Sequence, residues 1–314
     1  MSLLTFGDIK TAADRIAGQI RPVTVTPVDS DALPGRIWLA LEFMQHTGSF
    51  KARGACNFLA AHRQAGTLPE AGVTIASGGN AGLACAWAAR LQGVRATVFL
   101  PENAPEVKVR RLRSYGADVR LVGSEYAEAL AACEEFAASS GALASHAYDH
   151  PLIAAGAGTL LDEIRERVPG LDTVVVAVGG GGLFAGVATA AHYHGVRVVA
   201  VEPARCRALN AAIEAGQVVD VEVDSVAADS LGARRTSAMA LQAGRQGDVR
   251  SLLVPDEEIV RARKMLWDHR RLAVEHGAAT ALAALTGGAY TPGAEETVAV
   301  VLCGANTAPC TLAG

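Results

Sequence analysis

The chain of 314 residues lacks the features that direct a protein to a membrane or a nucleic acid. No apolar run is long enough to span a bilayer, and the N-terminus has no secretory signal. The net charge is −4, and the basic residues are scattered rather than grouped into a stripe, so we expect no nucleic-acid partner. The absences together predict a soluble, cytoplasmic protein with no membrane partner.

Cysteine pairs of the kind that bind zinc are also absent. The six cysteines are spread along the chain without a C-x-x-C pair, which argues against both a disulfide framework and a zinc cluster. We therefore predict reduced cysteines and no metal. The six are Cys56, Cys85, Cys133, Cys206, Cys303 and Cys310.

Short apolar runs rich in β-branched residues alternate with alanine-rich helical stretches along the whole chain. Clear examples of such runs lie at 96–100, 173–178 and 297–302. Strands that are apolar throughout and are separated by helices are typical of parallel sheets covered on both faces. The pattern predicts an α/β fold with two open, mostly parallel sheets flanked by helices.

Domain boundaries must be inferred from this alternation of strands and helices, because no repeat or flexible linker interrupts the chain. The segment 145–151 is polar, ends in proline and precedes a long helix, so we interpret it as a crossover between the two sheets. We predict a large domain made of 1–40 and 146–314, and a small domain made of 41–145.

Four unusual segments follow predicted strands, at 77–80, 179–182, 202–203 and 303–306. In open α/β sheets, ligands bind beyond the carboxyl ends of the strands. The segments are therefore expected to lie on the ligand side of the sheets. Their shared position is stronger evidence for a ligand site than any one segment alone.

Lysine is scarce, and one of the four lysines has an unusual setting. Lys10, Lys108 and Lys264 lie in amphipathic or arginine-rich stretches that are typical of solvated helix faces. Lys51 instead lies in Thr-Gly-Ser-Phe-Lys-Ala-Arg-Gly-Ala (47–55), which predicts a helix with Ser49 as N-cap and the lysine in the first turn. An exposed first-turn lysine remains the alternative for this segment taken alone.

The glycine run comprises Gly179, Gly180, Gly181 and Gly182. It follows an apolar strand and precedes a helix, so its backbone N–H groups and the helix N-terminus can surround an anion. The run predicts a phosphate cup. It is not a Walker loop, and a Rossmann-like dinucleotide site survives as an alternative because Glu202 lies about 20 residues further on.

These segments together resemble the fold-type II pyridoxal-phosphate enzymes, and within them the serine/threonine dehydratases. The motifs lie in the family's order, and weaker similarity extends over nearly the whole chain. The matching segments are 49–55, 77–80, 179–182 and 303–306, with weaker ones at 21–27 and 275–278.

The resemblance implies a role for each motif. Lys51 would carry pyridoxal phosphate as a Schiff base, with Phe50 packed by the pyridine ring. Asn80 would donate to the 3′ oxygen of the ring, and the glycine run would hold the phosphate. Cys303 would face the pyridine nitrogen, where a thiol cannot keep the ring protonated. The substrate carboxylate would bind at Ser77, Gly78, Gly79, Asn80 and Ala81.

The resemblance implies α,β-elimination from L-serine or L-threonine to a 2-oxo acid and ammonia. Racemisation or β-replacement with the same cofactor, and a non-catalytic Rossmann-like binding protein, are the alternatives.

Gly78 stands where eukaryotic serine racemases have a serine that passes a proton, and Ala208 stands where metal-binding relatives have an acidic residue. Ala52 replaces the Asp of threonine and cysteine synthases. A homodimer without a C-terminal regulatory domain is also implied.

Several other residues are weaker candidates. Glu275 matches an acidic position of the family, although a carboxylate at a helix start is an equally good interpretation. The family usually has glycine directly after the residue that matches Asp229, so Ser230 is a departure that leaves the role of this loop open. His192 and His194 face different sides of a helix and are interpreted as capping or solvated residues.

Overall fold

Two open sheets, one of six strands and one of four, form the framework of the computed structural model, which describes residues 4–29, 33–308 and 311–312. The predicted α/β class with two mostly parallel sheets is confirmed. The strands are β1 (Val25–Pro27), β2 (Arg36–Ala40), β3 (Val73–Ala76), β4 (Ala96–Leu100), β5 (Asp118–Leu121), β6 (Leu143–Ala144), β7 (Thr173–Ala177), β8 (Arg197–Pro203), β9 (Val249–Val254) and β10 (Thr297–Val301).

Helices cover the sheets and account for most of the remaining chain. They are α1 (Phe6–Ile16), α2 (Lys51–Gln64), α3 (Asn80–Leu91), α4 (Glu106–Ser114), α5 (Tyr126–Ser140), α6 (Pro151–Arg167), α7 (Gly182–His194), α8 (Ala208–Ala215), α9 (Ala228–Leu231), α10 (Ala238–Ala243), α11 (Asp256–Arg270) and α12 (His276–Thr286), with 3-10 turns at Glu42–Met44 and His46–Gly48. None of the helices in the described ranges is long and apolar enough to cross a membrane.

The large sheet has the strand order β1-β2-β10-β7-β8-β9, and only β1 is antiparallel to its neighbour. Every residue of β7 and β10 is buried, as expected for valine-rich parallel strands that are covered on both faces. Glu202 and Pro203 are the last two residues of β8, so they do not lie beyond its carboxyl end as expected.

The small sheet has the order β5-β4-β3-β6, with all its pairs parallel. Its strands lie between residues 73 and 144, whereas the large sheet takes β1 and β2 from the first 40 residues and its other strands from beyond residue 172. The domain boundaries after residues 40 and 145 stay a prediction.

Glycine allows α6 and α7 to approach closely beside the large sheet. A Cβ on Gly186 would lie 2.2 Å from the carbonyl oxygen of Ala154, and a Cβ on Gly158 would lie 2.8 Å from that of Gly186. No larger residue fits this crossing without moving a helix. The contact fixes the start of α7 relative to the residues that precede α6.

A buried cluster of charges ties α2 to the rest of the protein. The guanidinium of Arg53 is fully buried and donates to Glu42 at 2.6 and 3.0 Å and to Glu163 at 2.6 and 3.0 Å. Burial raises the pKa of Glu42, and the charge of Arg53 counteracts this effect. Because α2 begins with Lys51, the cluster holds the element that presents this lysine.

The five cysteines within the described residues are free and buried, and Cys310 lies outside those residues.

Candidate active site

Lys51 is the first residue of α2, with Phe50 at the N-cap position. The prediction that Ser49 caps this helix is wrong. The backbone of Ser49 is extended (φ −161°, ψ 160°) and forms an antiparallel bridge with Gly304. The buried hydroxyl of Ser49 has no hydrogen-bond partner among the described residues, so it does not cap α2.

The Lys51 amine is enclosed rather than solvated. Its Nζ donates to the carbonyl oxygen of Ala147 at 2.7 Å and lies 4.8 Å from the centroid of the Phe50 ring. Burial lowers the pKa of Lys51 to about 8, while the neighbouring Cys303 and Glu275 act in the opposite direction. The neutral, nucleophilic form of the amine is therefore far more populated near neutral pH than in an ordinary lysine.

The four-glycine loop joins β7 to α7, as predicted, and forms a cradle lined by backbone. A Cβ on Gly180 would lie 2.3 to 2.4 Å from ring atoms of Tyr148, and one on Gly181 would lie 2.4 Å from the Cβ of Ala240. Gly181 also has a left-handed backbone (φ 95°), which favours glycine. The loop can thus present N–H groups at the start of a helix, an arrangement that binds anions.

The segment before α6 connects the glycine loop to Lys51. Tyr148 packs against Gly180, and the residue before it, Ala147, accepts the hydrogen bond from Lys51. The Tyr148 hydroxyl in turn donates to the carbonyl oxygen of Arg235. The amine and the anion cradle therefore share one wall. Sequence reasoning identified this segment only as a crossover, because the pairing depends on residues distant in sequence.

The turn between β3 and α3 contains the residues that were predicted to bind a carboxylate. Gly79 is the N-cap of α3, and Asn80 and Ala81 are its first two residues. The first N–H groups of a helix lack partners within the helix and attract anions. A Cβ on Gly78 would lie 2.7 Å from Cδ2 of Leu100, so the side chain of Leu100 leaves little room for a larger residue there. Ser77 accepts from the Gly79 N–H at 3.4 Å.

Cys303 follows β10 and is buried next to Lys51. Its carbonyl oxygen accepts from the Phe50 N–H at 3.0 Å, and burial raises the pKa of its thiol to about 12. The thiol is therefore neutral at physiological pH. The structure brings Phe50, Lys51 and Cys303 together.

Asn80 lies in a network with Glu275 and Asn306. Its Nδ2 donates to both carboxylate oxygens of Glu275 at 3.0 Å, and its Oδ1 accepts from Nδ2 of Asn306 at 2.5 Å. Burial raises the pKa of Glu275. Asn306 was part of a predicted motif, but no role was assigned to it.

The short helix α9, which contains Asp229 and Ser230, influences two parts of the site. Asp229 forms an ion pair with Lys108 of α4 at 2.9 Å, and the Ser230 hydroxyl lowers the pKa of Glu275. Neither contact is visible in the sequence pattern.

The two histidines of α7 lie outside this region. His194 is the last residue of α7, and its Nε2 lies 2.7 Å from Oδ1 of Asp162. Among the described residues, no group of three or more His, Cys, Asp or Glu side chains could hold a metal ion.

Comparisons with known proteins agree with this geometry. A family model described as pyridoxal-phosphate dependent enzyme matches residues 18–304. The chain is 36% identical over 304 residues to an L-threonine ammonia-lyase of Geobacter sulfurreducens, which covers 95% of this chain and 75% of that protein. It is 36% identical over 285 residues to a serine dehydratase-like protein of Rattus norvegicus, covering 86% and 85%. A solved structure of maize serine racemase superposes with a TM-score of 0.90 at 27% identity, covering 99% of this chain and 96% of that one.

Proposed function

Because the chain belongs to the pyridoxal-phosphate dependent enzymes, we propose that it eliminates water from L-serine or L-threonine, with Lys51 as the residue that binds the cofactor. The released enamine then takes up water and hydrolyses to a 2-oxo acid and ammonia. The observation that carries the proposal is the shared wall between the buried Lys51 amine and the glycine cradle. Relatives named threonine ammonia-lyase and serine dehydratase-like support this reaction class.

The residues present fit the cofactor. An aldehyde needs a neutral amine, which Lys51 supplies, and a phosphate needs clustered N–H donors, which the loop from Gly179 to Gly182 supplies without side chains. Phe50 would pack beside the pyridine ring, and Cys303 would face its nitrogen. The hydroxyls of Thr47 and Ser49 are buried without partners in the described part of the chain, as expected of groups that lie beside a ligand site.

When bound, pyridoxal phosphate withdraws electrons from the substrate α-carbon and so eases loss of the α-proton and the β-hydroxyl. Lys51 would remove the α-proton, because its lowered pKa leaves a neutral amine available as a base. The start of α3, from Ser77 to Ala81, would hold the substrate carboxylate with backbone N–H groups and the helix dipole. The neutral thiol of Cys303 would leave the pyridine nitrogen largely unprotonated, which favours elimination.

Racemisation is the second candidate, and the similarity to the maize serine racemase structure is the observation that favours it. Racemisation needs a proton donor on the face of the substrate opposite the lysine. Gly78 has no side chain, and Leu100 fills the space where one would project. The absence of a hydroxyl at residue 78 therefore favours elimination over racemisation.

The experiment begins with the visible absorption spectrum of the protein mixed with pyridoxal phosphate. We expect a band that is lost in Lys51→Ala and kept in Lys10→Ala, a matched control on the exposed face of α1. L-Serine and L-threonine are then supplied, and 2-oxo acid and D-amino acid are measured in the same sample. Absence of the band would overturn the cofactor role of Lys51, and D-serine as the main product would overturn the elimination.

A further inference from the structure

Glu275 is a buried carboxylate that the proposed reaction does not use directly. It precedes α12 as its N-cap residue, and its side chain is 7% exposed. Two donors reach the carboxylate: the Asn80 amide at 3.0 Å and the Asn306 N–H at 2.7 Å. A carboxylate accepts both when ionised, and charge-assisted hydrogen bonds of this kind are stronger than neutral ones.

The amide of Asn80 is held from both ends by this network. Nδ2 donates to Glu275, while Oδ1 accepts from Asn306 Nδ2, whose second hydrogen is donated to the carbonyl oxygen of Thr47 at 2.8 Å. Both donor hydrogens of Asn306 are thus used, so Oδ1 of Asn80 must face Asn306. One hydrogen on Nδ2 of Asn80 serves the carboxylate, and the second is left for another acceptor.

The Ser230 side chain lies next to this network. Its Oγ would lie 2.2 Å from a Cβ placed on Gly277, in the first turn of α12, so the hydroxyl is packed directly against the start of this helix. The hydroxyl lowers the pKa of Glu275, opposing the effect of burial. A glycine at residue 230 would lack this hydroxyl.

We propose that Glu275 is a positioning residue: held by the Asn306 N–H, with the Ser230 hydroxyl beside the start of α12, its carboxylate fixes the Asn80 amide so that the remaining amide hydrogen faces the ring oxygen of the cofactor. This inference rests on the proposed function. It assigns a task to Glu275 and Ser230, neither of which needs to touch the cofactor.

The variants Glu275→Gln and Ser230→Ala test the proposal. Glu275→Gln keeps the shape but replaces charge-assisted bonds by neutral ones, and we expect the dissociation constant for pyridoxal phosphate to rise about tenfold. Ser230→Ala removes the hydroxyl that lowers the pKa of Glu275, and we expect a rise of about threefold. Ser251→Ala is the matched control, because Ser251 is also half-buried and has one side-chain hydrogen bond, to Asn210.

The second readout is the absorption spectrum of the bound cofactor. A donor at the ring oxygen stabilises negative charge there. Loosening Asn80 should therefore change the ratio between the absorption band of the form with a protonated ring oxygen and that of the form with a deprotonated one. We expect this change in both variants but not in the control. Thermal unfolding of the apoprotein reports on folding separately. A merely structural role would lower the unfolding midpoint and leave the band ratio unchanged.

The outcomes separate this proposal from the function on which it rests. If wild type shows the Lys51-dependent band and both variants match it in affinity and band ratio, the positioning role falls and the proposed function stands. If wild type binds no pyridoxal phosphate, both fall. Should Glu275→Gln not fold, Ser230→Ala decides by the same two readouts.

Discussion

Removing the charge of Arg53 should strongly destabilise the protein, because Arg53 is the fully buried cation of a charge cluster and pairs with the buried Glu42. In Arg53→Met, Glu42 would remain 1% exposed with no cation beside it, whereas Glu163 is 23% exposed at its side chain and still accepts from the Val23 N–H. Breaking one partner of a buried ion pair costs about 3–5 kcal/mol. For a chain of this size, that is a fall of about 5–8 °C in the unfolding midpoint.

The destabilisation should depend on pH in a defined direction. Without Arg53, burial would hold the pKa of Glu42 in the folded state above its value in the unfolded chain. An acid whose pKa rises on folding binds more protons in the folded state, so stability falls as pH rises between the two pKa values. The loss in free energy of unfolding of Arg53→Met relative to wild type should therefore be smaller near about pH 5 than near about pH 8.

The assay is thermal unfolding of the apoprotein, followed by circular dichroism at both pH values. The double variant Arg53→Met with Glu42→Leu removes the uncompensated charge and should recover at least about 1 kcal/mol of the loss. Arg261→Met is the control, because Arg261 pairs with Glu258 on an exposed helix face and surface pairs contribute about 0–1 kcal/mol. A midpoint for Arg53→Met within about 2 °C of wild type, or no gain in the double variant, would refute the reasoning.

Two further predictions concern the site. Gly180→Ala places a Cβ within 2.4 Å of the Tyr148 ring. We therefore expect the dissociation constant for pyridoxal phosphate to rise by about tenfold or more with the fold retained. Gly7→Ala, on α1, is the control, and an unchanged affinity in Gly180→Ala would show that the loop does not hold the phosphate. Glu202 already accepts from the N–H groups of Leu209 and Asn210, and Ala208 offers no carboxylate to a metal ion. We therefore expect EDTA or added magnesium to leave the rate of 2-oxo acid formation unchanged. Activity that collapses with chelator and returns with magnesium would contradict this.

The sequence was sufficient to predict what local patterns encode. The apolar runs identified the parallel strands, and the setting of Lys51 distinguished it from the other lysines. The glycine run lies at the predicted strand-to-helix turn because glycine alone tolerates the left-handed backbone of Gly181 and the approach of Tyr148 to Gly180.

The contacts that complete the site could not be predicted in this way, because they join residues far apart in sequence. Ser49 has the composition of an N-cap, but its backbone pairs with Gly304, more than 250 residues away. The local preference was overridden by this pairing. The contacts of Ser230 and Asn306 with Glu275 likewise depend on how α12 is placed against the loops at the sheet edges, which no short motif encodes.

The ion pair between Lys108 and Asp229 is a weak link between the two parts of the site. It joins α4, which packs on the small sheet, to α9, which packs against α12. Both side chains are exposed, so the pair contributes only about 0–1 kcal/mol and is weakened by salt. A contact of this strength opens and closes readily. Since Ser230 is the next residue after Asp229, each opening releases the chain one peptide bond from the hydroxyl that lowers the pKa of Glu275.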